Sequence, residues 1–298
     1  MKKNKKLILH IGLYKTGSTS IQNSLYRNKA ELFKLGVNYI SLPKYIQTIN
    51  GRQTFFNARK NIMADLLKKS PGHTHILSNE GLWDRKLLKK KTIEIIQSIN
   101  IYDEIEIVAY VRRQDLFFKS FYKQENKIGA LFVAGLTPED FLENIILNDS
   151  LDYMKILSEY SSVFGENSVK VRVFELDKLI NNDVVDDFLS TIKLAKPDNF
   201  LNYRMNDSIS DEYGLITSHM NHILNKSFDS IGVDIDNIDV VDRNLIRSLV
   251  RTSTESILSR LDLNNCSMFD DSLIQKILEI YADSNRDLFK KFGIEFKK

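Results

Sequence analysis

The sequence predicts a three-layer α/β sandwich with a central parallel sheet and a C-terminal helical appendage. Short β-rich runs alternate with longer amphipathic stretches as far as Pro197, and only helical patterns follow. Helices that connect parallel strands form right-handed crossovers and cover both faces of a sheet. We therefore expect one domain over residues 1–298, with a sheet core at 1–197 and a helical tail at 198–298 packed on it.

The predicted elements alternate in a regular order along the chain. Strands are predicted at Lys6–Ile11, His73–Ser78, Glu104–Val111 and Ser168–Phe174. Helices are predicted from Ser18 to Phe33, at about 53–69, 86–99, 114–127, 138–162 and 181–192, and then at 209–225, 239–261 and 270–291. Ligands of open parallel sheets bind beyond the carboxyl ends of the strands. The residues that directly follow each strand are therefore the candidates for a site.

Composition narrows the class of protein. Of the 298 residues, 43% are hydrophobic and 27% charged, as in ordinary globular proteins. The one cysteine, Cys266, excludes an intrachain disulfide and a four-cysteine zinc site, which favours a reducing, cytoplasmic location. No apolar run reaches the roughly 18 residues of a transmembrane helix. The apolar run Leu7–Leu9 behind the basic start is too short for a signal peptide.

Charge is distributed unevenly along the chain. The net charge of +3 is too small to indicate a nucleic-acid partner. Residues 1–127, however, carry 24 Lys and Arg against 10 Asp and Glu, whereas the remaining residues carry 18 against 29. The N-terminal part is therefore suited to an anionic ligand.

A glycine-containing loop follows the first strand and opens a helix; it reads Gly12-Leu13-Tyr14-Lys15-Thr16-Gly17-Ser18-Thr19. Glycine lets the backbone approach an anion closely, and the first amides of the helix point at the same place. The hydroxyls of Thr16, Ser18 and Thr19 can donate hydrogen bonds to phosphate oxygens. The pattern predicts a phosphate site of the P-loop NTPase-like kind.

The lysine of this loop is displaced from the usual position. Gly12 and Gly17 have the spacing of the nucleoside-triphosphate loop, in which Lys directly follows the second glycine. Here Ser18 stands at that position and Lys15 lies inside the loop. This departure disfavours a magnesium-dependent kinase.

A second basic segment follows the strand Glu104–Val111. Arg112 directly follows this strand, and Ser120 lies about two turns into the next helix, so both can converge on one anion. Arg113 is a rival for the same contact. The sequence therefore predicts a second anion site next to the glycine loop.

Both segments resemble the sulfotransferase family. Lys15-Thr16-Gly17-Ser18-Thr19 is similar to the family's 5′-phosphosulfate loop, and Arg112 with Ser120, eight residues later, resembles its 3′-phosphate pair. Gln114 stands where many relatives have Pro. Within the family, the stretch from His10 to Ser20 looks most like bacterial members that act on saccharides.

The resemblance implies a donor, an acceptor class and two catalytic residues. The donor is 3′-phosphoadenosine 5′-phosphosulfate, without a metal, and the acceptor is a hydroxyl or amine of a carbohydrate or glycolipid. Lys15 would stabilise the leaving phosphate. Glu80, just after the strand that ends at Ser78, would be the base, with His10, His73 and His75 as the alternatives. Aromatic and charged residues between Tyr39 and Phe56, or in the helical tail, are expected to line the acceptor site.

Two other functions fit the same loop. A nucleotide-dependent kinase explains the phosphate cradle but not the position of Lys15. A non-catalytic protein that binds a nucleotide or a polyanion would use the basic N-terminal part without turnover.

Overall fold

The computed structural model describes residues 4–40, 63–128, 134–204, 209–233, 240–260 and 267–297. In this part of the chain an all-parallel sheet has the strand order β2-β3-β1-β4-β5. The strands are β1 (Lys6–His10), β2 (Val37–Ile40), β3 (Thr74–Ser78), β4 (Glu104–Val111) and β5 (Val169–Val173). The predicted α/β class with a central parallel sheet is confirmed, and β2 is a strand that the sequence patterns did not predict.

The helices are α1 (Ser18–Arg27), α2 (Lys29–Lys34), α3 (Gly81–Asp84), α4 (Lys86–Ile99), α5 (Gln114–Ile128), α6 (Pro138–Leu147), α7 (Tyr153–Phe164), α8 (Val184–Thr191), α9 (Asp211–Ser230), α10 (Val240–Leu258), α11 (Asp271–Ile280) and α12 (Ala282–Phe292). Residues 63–69 are also helical, and short 3-10 turns flank β5 and precede α8. None of the described helices is both long and apolar enough to cross a membrane.

Strand β1 lies at the centre of the sheet, between β3 and β4. Its Leu7, Ile8 and Leu9 are all buried, so both faces of the strand are covered. The chain moves from β1 toward β2 and β3 on one side, and then to β4 and β5 on the other. The order therefore reverses between β1 and β4, which is where open α/β sheets form their ligand crevice.

One face of the sheet packs on α1, α2 and α8. The apolar cluster joins Ile8, Val108 and Tyr110 of the sheet with Leu25 of α1 and Phe188 of α8. This cluster fixes the start of α1 against the end of β1, because both helix and strand bury apolar side chains in it.

The opposite face of the sheet packs on α7, which contacts β4 and β5. Tyr153 of α7 donates a hydrogen bond from its hydroxyl to the Arg112 carbonyl at 2.6 Å, and its ring meets the Trp83 ring edge to face. Tyr160 donates to the Leu82 carbonyl at 2.6 Å. These contacts tie the segments that follow β3 and β4 to one helix.

The described residues pack as two compact units. The first comprises Met1–Arg112, Asp152–Met205 and Ser284–Lys298, and it contains the sheet. The second comprises Arg113–Leu151 and Asn206–Asp283 and is helical. Residues 113–151 of the predicted sheet core therefore belong to the helical unit, and residues 284–298 of the predicted tail belong to the sheet unit. The expectation of a single domain stays a prediction.

An aromatic cluster holds the second unit together. Tyr122 of α5 packs its ring on Phe141 of α6 and on Phe269, and its hydroxyl lies 2.7 Å from the Ser218 Oγ of α9. Phe118 of α5 contacts the same two phenylalanines. Helix α5 buries this aromatic face within the helical unit, which explains why it belongs there although it follows β4.

Two predicted helices are interrupted. The helix predicted from Ser18 to Phe33 is broken at Asn28, whose side-chain amide donates to the Ser24 carbonyl at 2.7 Å and to the Leu201 carbonyl at 2.9 Å. The helix predicted at 138–162 is two helices, α6 and α7, because Asp149 has a positive φ of 57° and Asp152 caps the second one.

Candidate active site

The loop after β1 has a backbone that only some residues tolerate. Lys15 and Gly17 both have positive φ angles, of 60° and 77°. A Cβ atom on Gly17 would lie 2.8 Å from a Val184 methyl carbon and 2.9 Å from the Phe174 ring. A Cβ atom on Gly12 would lie 2.4 Å from the Ser18 Oγ. Both glycines are therefore required by close packing, and the left-handed backbone of Lys15 marks a local strain of the kind found at ligand sites.

Two hydroxyls hold this loop in shape. Thr16 donates to the Leu13 carbonyl at 2.6 Å, and the Ser18 hydroxyl lies 3.1 Å from the same oxygen. Both side chains are buried, whereas Thr19 is exposed. The predicted phosphate contacts of Thr16 and Ser18 would therefore come from their backbone amides, since their side chains shape the loop.

Helix α1 begins at this loop. Its N-cap is Gly17, and its first turn carries only Ser and Thr before Ile21. The positive end of the helix dipole is thus not neutralised by an acidic residue of its own first turn, which favours an anion at this point. Lys15 adds a cation beside it.

Glu80 lies at the carboxyl end of the neighbouring strand β3. The Asn79 N–H donates to the His10 carbonyl at 3.1 Å, which joins the ends of β3 and β1. The Glu80 carboxylate accepts a hydrogen bond from Ser18 and lies within electrostatic range of Lys15. The predicted base and the predicted cation are thus brought together.

Burial raises the pKa of Glu80, and the Lys15 ammonium, the Arg85 guanidinium and the Ser18 hydroxyl oppose this rise. Asp84 raises it further. The Ser18 hydroxyl has one proton to share between Glu80 and the Leu13 carbonyl, so it satisfies the carboxylate only in part. The net effect is a raised pKa of Glu80, with burial as its largest cause.

Helix capping does not occupy Glu80. Although Glu80 is the N-cap residue of α3, the Asn79 Oδ1 accepts the Gly81 N–H at 2.9 Å. The Glu80 side chain is instead directed to the glycine loop through Ser18. The cap of α3 and the contact with the glycine loop are therefore made by two different side chains, those of Asn79 and Glu80.

The histidines have other surroundings. His10 is fully buried, its Nδ1 lies 2.7 Å from the Ser78 Oγ, and burial lowers its pKa to about 3. His75 is buried near the start of β3, where burial lowers its pKa to about 4. His73 precedes β3 and lies 3.2 Å from the Thr74 hydroxyl. His73 and His75 thus lie at the amino end of β3, and His10, although it ends β1, is fully buried, whereas Glu80 follows a strand end and is half-buried.

The two arginines after β4 are not equivalent. The Arg113 guanidinium forms a double hydrogen bond with the Asp115 carboxylate, at 2.7 and 2.9 Å, and this carboxylate is almost fully buried. Such a two-point pair fixes Arg113 to its own helix start. Arg112 thereby becomes the better candidate for the predicted anion contact.

Arg112 stands at the tip of a strand adjacent to β1. His10, the last residue of β1, is paired with Val108, so β4 runs three residues further before Arg112. At roughly 3.3 Å per residue, the β4 tip lies about 10 Å beyond the end of β1. Ser120 lies on α5 in the second unit, and its pairing with Arg112 stays a prediction.

Tyr14 and Arg85 belong to this site although the sequence did not point to them. Arg85 donates a hydrogen bond to the Tyr14 hydroxyl and lies close to Glu80. A tyrosine inside the loop and an arginine five residues after Glu80 were the available signals. The acceptor segment expected between Tyr39 and Phe56 lies outside the described residues, except for residues 39 and 40 in β2.

Comparisons with known proteins gave few matches. No protein-family model matches this sequence, and no curated protein does. Among solved structures, the chain is similar to a sulfotransferase from Alicyclobacillus acidocaldarius, with a TM-score of 0.42 and 14% sequence identity, over 79% of this chain and 98% of that one. Within the described residues, no group of three or more His, Cys, Asp or Glu side chains could hold a metal ion.

Proposed function

We propose that this protein transfers a sulfuryl group from 3′-phosphoadenosine 5′-phosphosulfate to a hydroxyl or amine of a carbohydrate or glycolipid. One observation carries the proposal. A cation in a phosphate-type loop, Lys15, lies beside a carboxylate with an elevated pKa, Glu80, at the ends of two adjacent strands. One group suits the charge on a leaving phosphate, and the other suits the proton of an attacking hydroxyl.

The residues present fit a ligand with two separate phosphates. The backbone of the loop, the start of α1 and Lys15 would hold the phosphate that carries the sulfuryl group. Arg112 at the β4 tip, with Ser120 as its predicted partner, would hold the second phosphate. Because Arg113 is paired with Asp115, we assign that contact to Arg112.

The donor supplies an activated sulfuryl group, and negative charge develops on the phosphate that it leaves. The Lys15 ammonium would neutralise this charge from a fixed position, which counts for more in a poorly hydrated crevice than in water. Glu80 would accept the proton of the acceptor hydroxyl. Its raised pKa makes it a stronger base than an exposed carboxylate, and Lys15 and Arg85 keep it from rising further.

The position of Lys15 separates this proposal from a kinase. A nucleoside-triphosphate loop places its lysine after the second glycine, where this chain has Ser18. That hydroxyl is engaged with the Leu13 carbonyl and Glu80. Lys15 is thus at the position of the lysine in the phosphosulfate loop, which this segment resembles.

Ligand-induced stabilisation tests donor binding. We expect 3′-phosphoadenosine 5′-phosphate to raise the melting temperature, with about 2.7 kcal/mol of stabilisation at 100 times the Kd. Lys15→Ala should abolish most of the shift. Lys34→Ala, which removes an exposed lysine paired with Glu31 on α2, is the matched control and should keep it.

Turnover is then measured with labelled donor and a panel of saccharides and glycolipids, followed by mass spectrometry for an added sulfate. Sulfate transfer that depends on Lys15 supports the proposal. Stabilisation by magnesium ATP but not by the bisphosphate would favour the kinase instead. Binding of the bisphosphate without transfer to any acceptor class would favour a non-catalytic nucleotide-binding protein.

A further inference from the structure

A tyrosine and an arginine next to Glu80 are joined by a hydrogen bond whose purpose the proposed transfer does not explain. Tyr14 lies in the glycine loop directly before Lys15, and its hydroxyl accepts a hydrogen bond from Arg85. Burial raises the pKa of Tyr14 to about 12, so its hydroxyl stays protonated. The loop after β1 and the segment after β3 are therefore joined by a neutral hydroxyl and a charged donor.

The backbone of α3 explains how Arg85 reaches the loop. The Arg85 N–H donates to the Gly81 carbonyl at 3.2 Å, which closes the short helix. A Cβ atom on Gly81 would lie 3.1 Å from the Arg85 Cδ. The stem of Arg85 thus folds back over the start of α3, toward the residue that precedes Gly81, which is Glu80. A larger residue at position 81 would displace this stem.

Charged groups from two elements surround Glu80. The loop and the start of α1 contribute Lys15 and Ser18, and α3 with its following residue contributes Asp84 and Arg85. Lys15 and Arg85 favour the ionised carboxylate, whereas Asp84 disfavours it. Without Arg85, the carboxylate would have Lys15 as its main cation and would compete with the leaving phosphate for it.

We propose that Tyr14 and Arg85 form a positioning pair, in which the Tyr14 hydroxyl anchors the Arg85 guanidinium beside Glu80 and so keeps this carboxylate ionised and Lys15 available. The inference rests on the proposed function for the role of Glu80 as the base. Arg85 is exposed, and an exposed arginine side chain samples many conformations. Its guanidinium therefore needs an anchor to stay beside Glu80. Tyr14 supplies this anchor from the loop that carries Lys15.

The first test is the titration of Glu80 itself, monitored by NMR in a protein with ¹³C-labelled glutamate carboxyls. The Glu80 signal is assigned as the one that is missing in Glu80→Gln. Arg85→Met should raise the pKa of Glu80 by about one unit or more, the effect of removing a nearby opposite charge. Tyr14→Phe should raise it by a smaller amount. Lys90→Met, an exposed cation on α4, is the matched control and should leave it unchanged.

The second test is the pH dependence of sulfate transfer. The acid limb of the kcat profile should move to higher pH in Tyr14→Phe and Arg85→Met. In Arg85→Lys, which keeps the positive charge, the shift should be smaller than in Arg85→Met. The KM for the donor should change little in Tyr14→Phe, because that variant keeps Lys15.

The two tests separate the two proposals. Absence of sulfate transfer in the wild type overturns the proposed function, whereas the NMR titration still measures the pair. An unchanged Glu80 pKa in both Tyr14→Phe and Arg85→Met overturns the positioning pair, whether or not transfer occurs. Equal losses of turnover at every pH, with no shift of the acid limb, would also overturn it.

Discussion

Two clusters in the sheet unit combine a carboxylate, an arginine and a tyrosine, yet they differ in what they can do. One joins Asp187, Arg172 and Tyr110 between α8 and the strands β4 and β5. The other joins Glu80, Arg85 and Tyr14 at the carboxyl ends of β1 and β3. The same residue types therefore serve two purposes, and their surroundings decide which.

The Asp187 cluster is saturated with hydrogen bonds. The Asp187 side chain is fully buried and accepts from the Tyr110 hydroxyl at 2.7 Å, from two nitrogens of Arg172 and from the Ile180 N–H at 3.2 Å. The hydrogen bond to Asp187 raises the pKa of Arg172. Burial, together with the Asp187 carboxylate, raises the pKa of Tyr110. A carboxylate with so many fixed donors has no capacity left for a substrate.

The Glu80 cluster is open by comparison. Its carboxylate is half-buried, shares one hydroxyl proton with a carbonyl, and lies between Lys15, Arg85 and Asp84. Burial raises the pKa of Glu80, whereas the oxygens of Asp187 are occupied by fixed donors of the protein. The difference teaches that position at a strand end beside cations, rather than residue type, distinguishes the carboxylate that we propose as a base from the structural one.

Replacing Glu80 should produce the largest change. Glu80→Gln keeps the shape of the side chain and removes its ability to accept a proton, so we expect turnover to fall about 10²- to 10⁴-fold. The affinity for 3′-phosphoadenosine 5′-phosphate should stay within a few fold, because Lys15 remains. Steady-state assays and a binding titration measure the two quantities.

Glu31→Gln, on the surface of α2, is the control for Glu80→Gln and should behave as the wild type. Full turnover of Glu80→Gln with every acceptor would show that Glu80 is not the base. The two clusters would then not differ in catalytic role. Glu80 would then be a structural carboxylate like Asp187.

Replacing Asp187 should have the opposite signature. Asp187→Ala leaves the Arg172 guanidinium and the Tyr110 hydroxyl without their shared acceptor, and breaking a buried pair in this way costs about 3–5 kcal/mol. Urea unfolding measures this loss of stability. The fraction that remains folded should bind the bisphosphate with an affinity close to that of the wild type.

Asp198→Ala removes an exposed carboxylate near α8 and should change the free energy of unfolding by less than about 0.5 kcal/mol. If Asp187→Ala lowered the free energy of unfolding by less than about 1 kcal/mol, the Asp187 cluster would not have the structural role that we give it.

Strong local patterns made much of the fold predictable from the sequence. The strand Glu104–Val111 and the helix Lys86–Ile99 were predicted with the bounds that the structure shows. The first has a long apolar run and the second a clear helical period. Strand β2 was missed because it has four residues and follows Gly36 without an alternating pattern of useful length.

Long-range contacts explain what could not be predicted. Helix α1 ends at Asn28, whose side chain bonds to the backbone of Leu201, and no local pattern reveals such a contact. For the site, Lys15 and Glu80 followed from their positions after strands. The bond between Tyr14 and Arg85 did not, since it depends on β1 and β3 being neighbours and on the missing Cβ of Gly81.

Acid sensitivity should be the smallest effect and separates the buried histidines from Glu80. Burial lowers the pKa of His75 to about 4 and that of His10 to about 3, so the folded chain keeps both neutral. Below the ordinary histidine pKa of about 6.5, the unfolded chain binds protons that the folded chain does not, and stability falls. Between pH 7 and pH 6 the loss is about 0.7 kcal/mol for each histidine.

A His75→Gln variant tests this account without relying on activity. His75 pairs its Nδ1 with the Tyr102 hydroxyl at 2.7 Å, and an amide side chain can keep a hydrogen bond there. Urea unfolding at pH 7 and pH 6 should show a loss of stability smaller by about 0.7 kcal/mol than in the wild type. The same loss in both proteins would mean that His75 takes up its proton in the folded state. In that case burial at β3 would not keep His75 neutral. The distinction between this buried histidine and the Glu80 carboxylate, which is next to cations, would then fail.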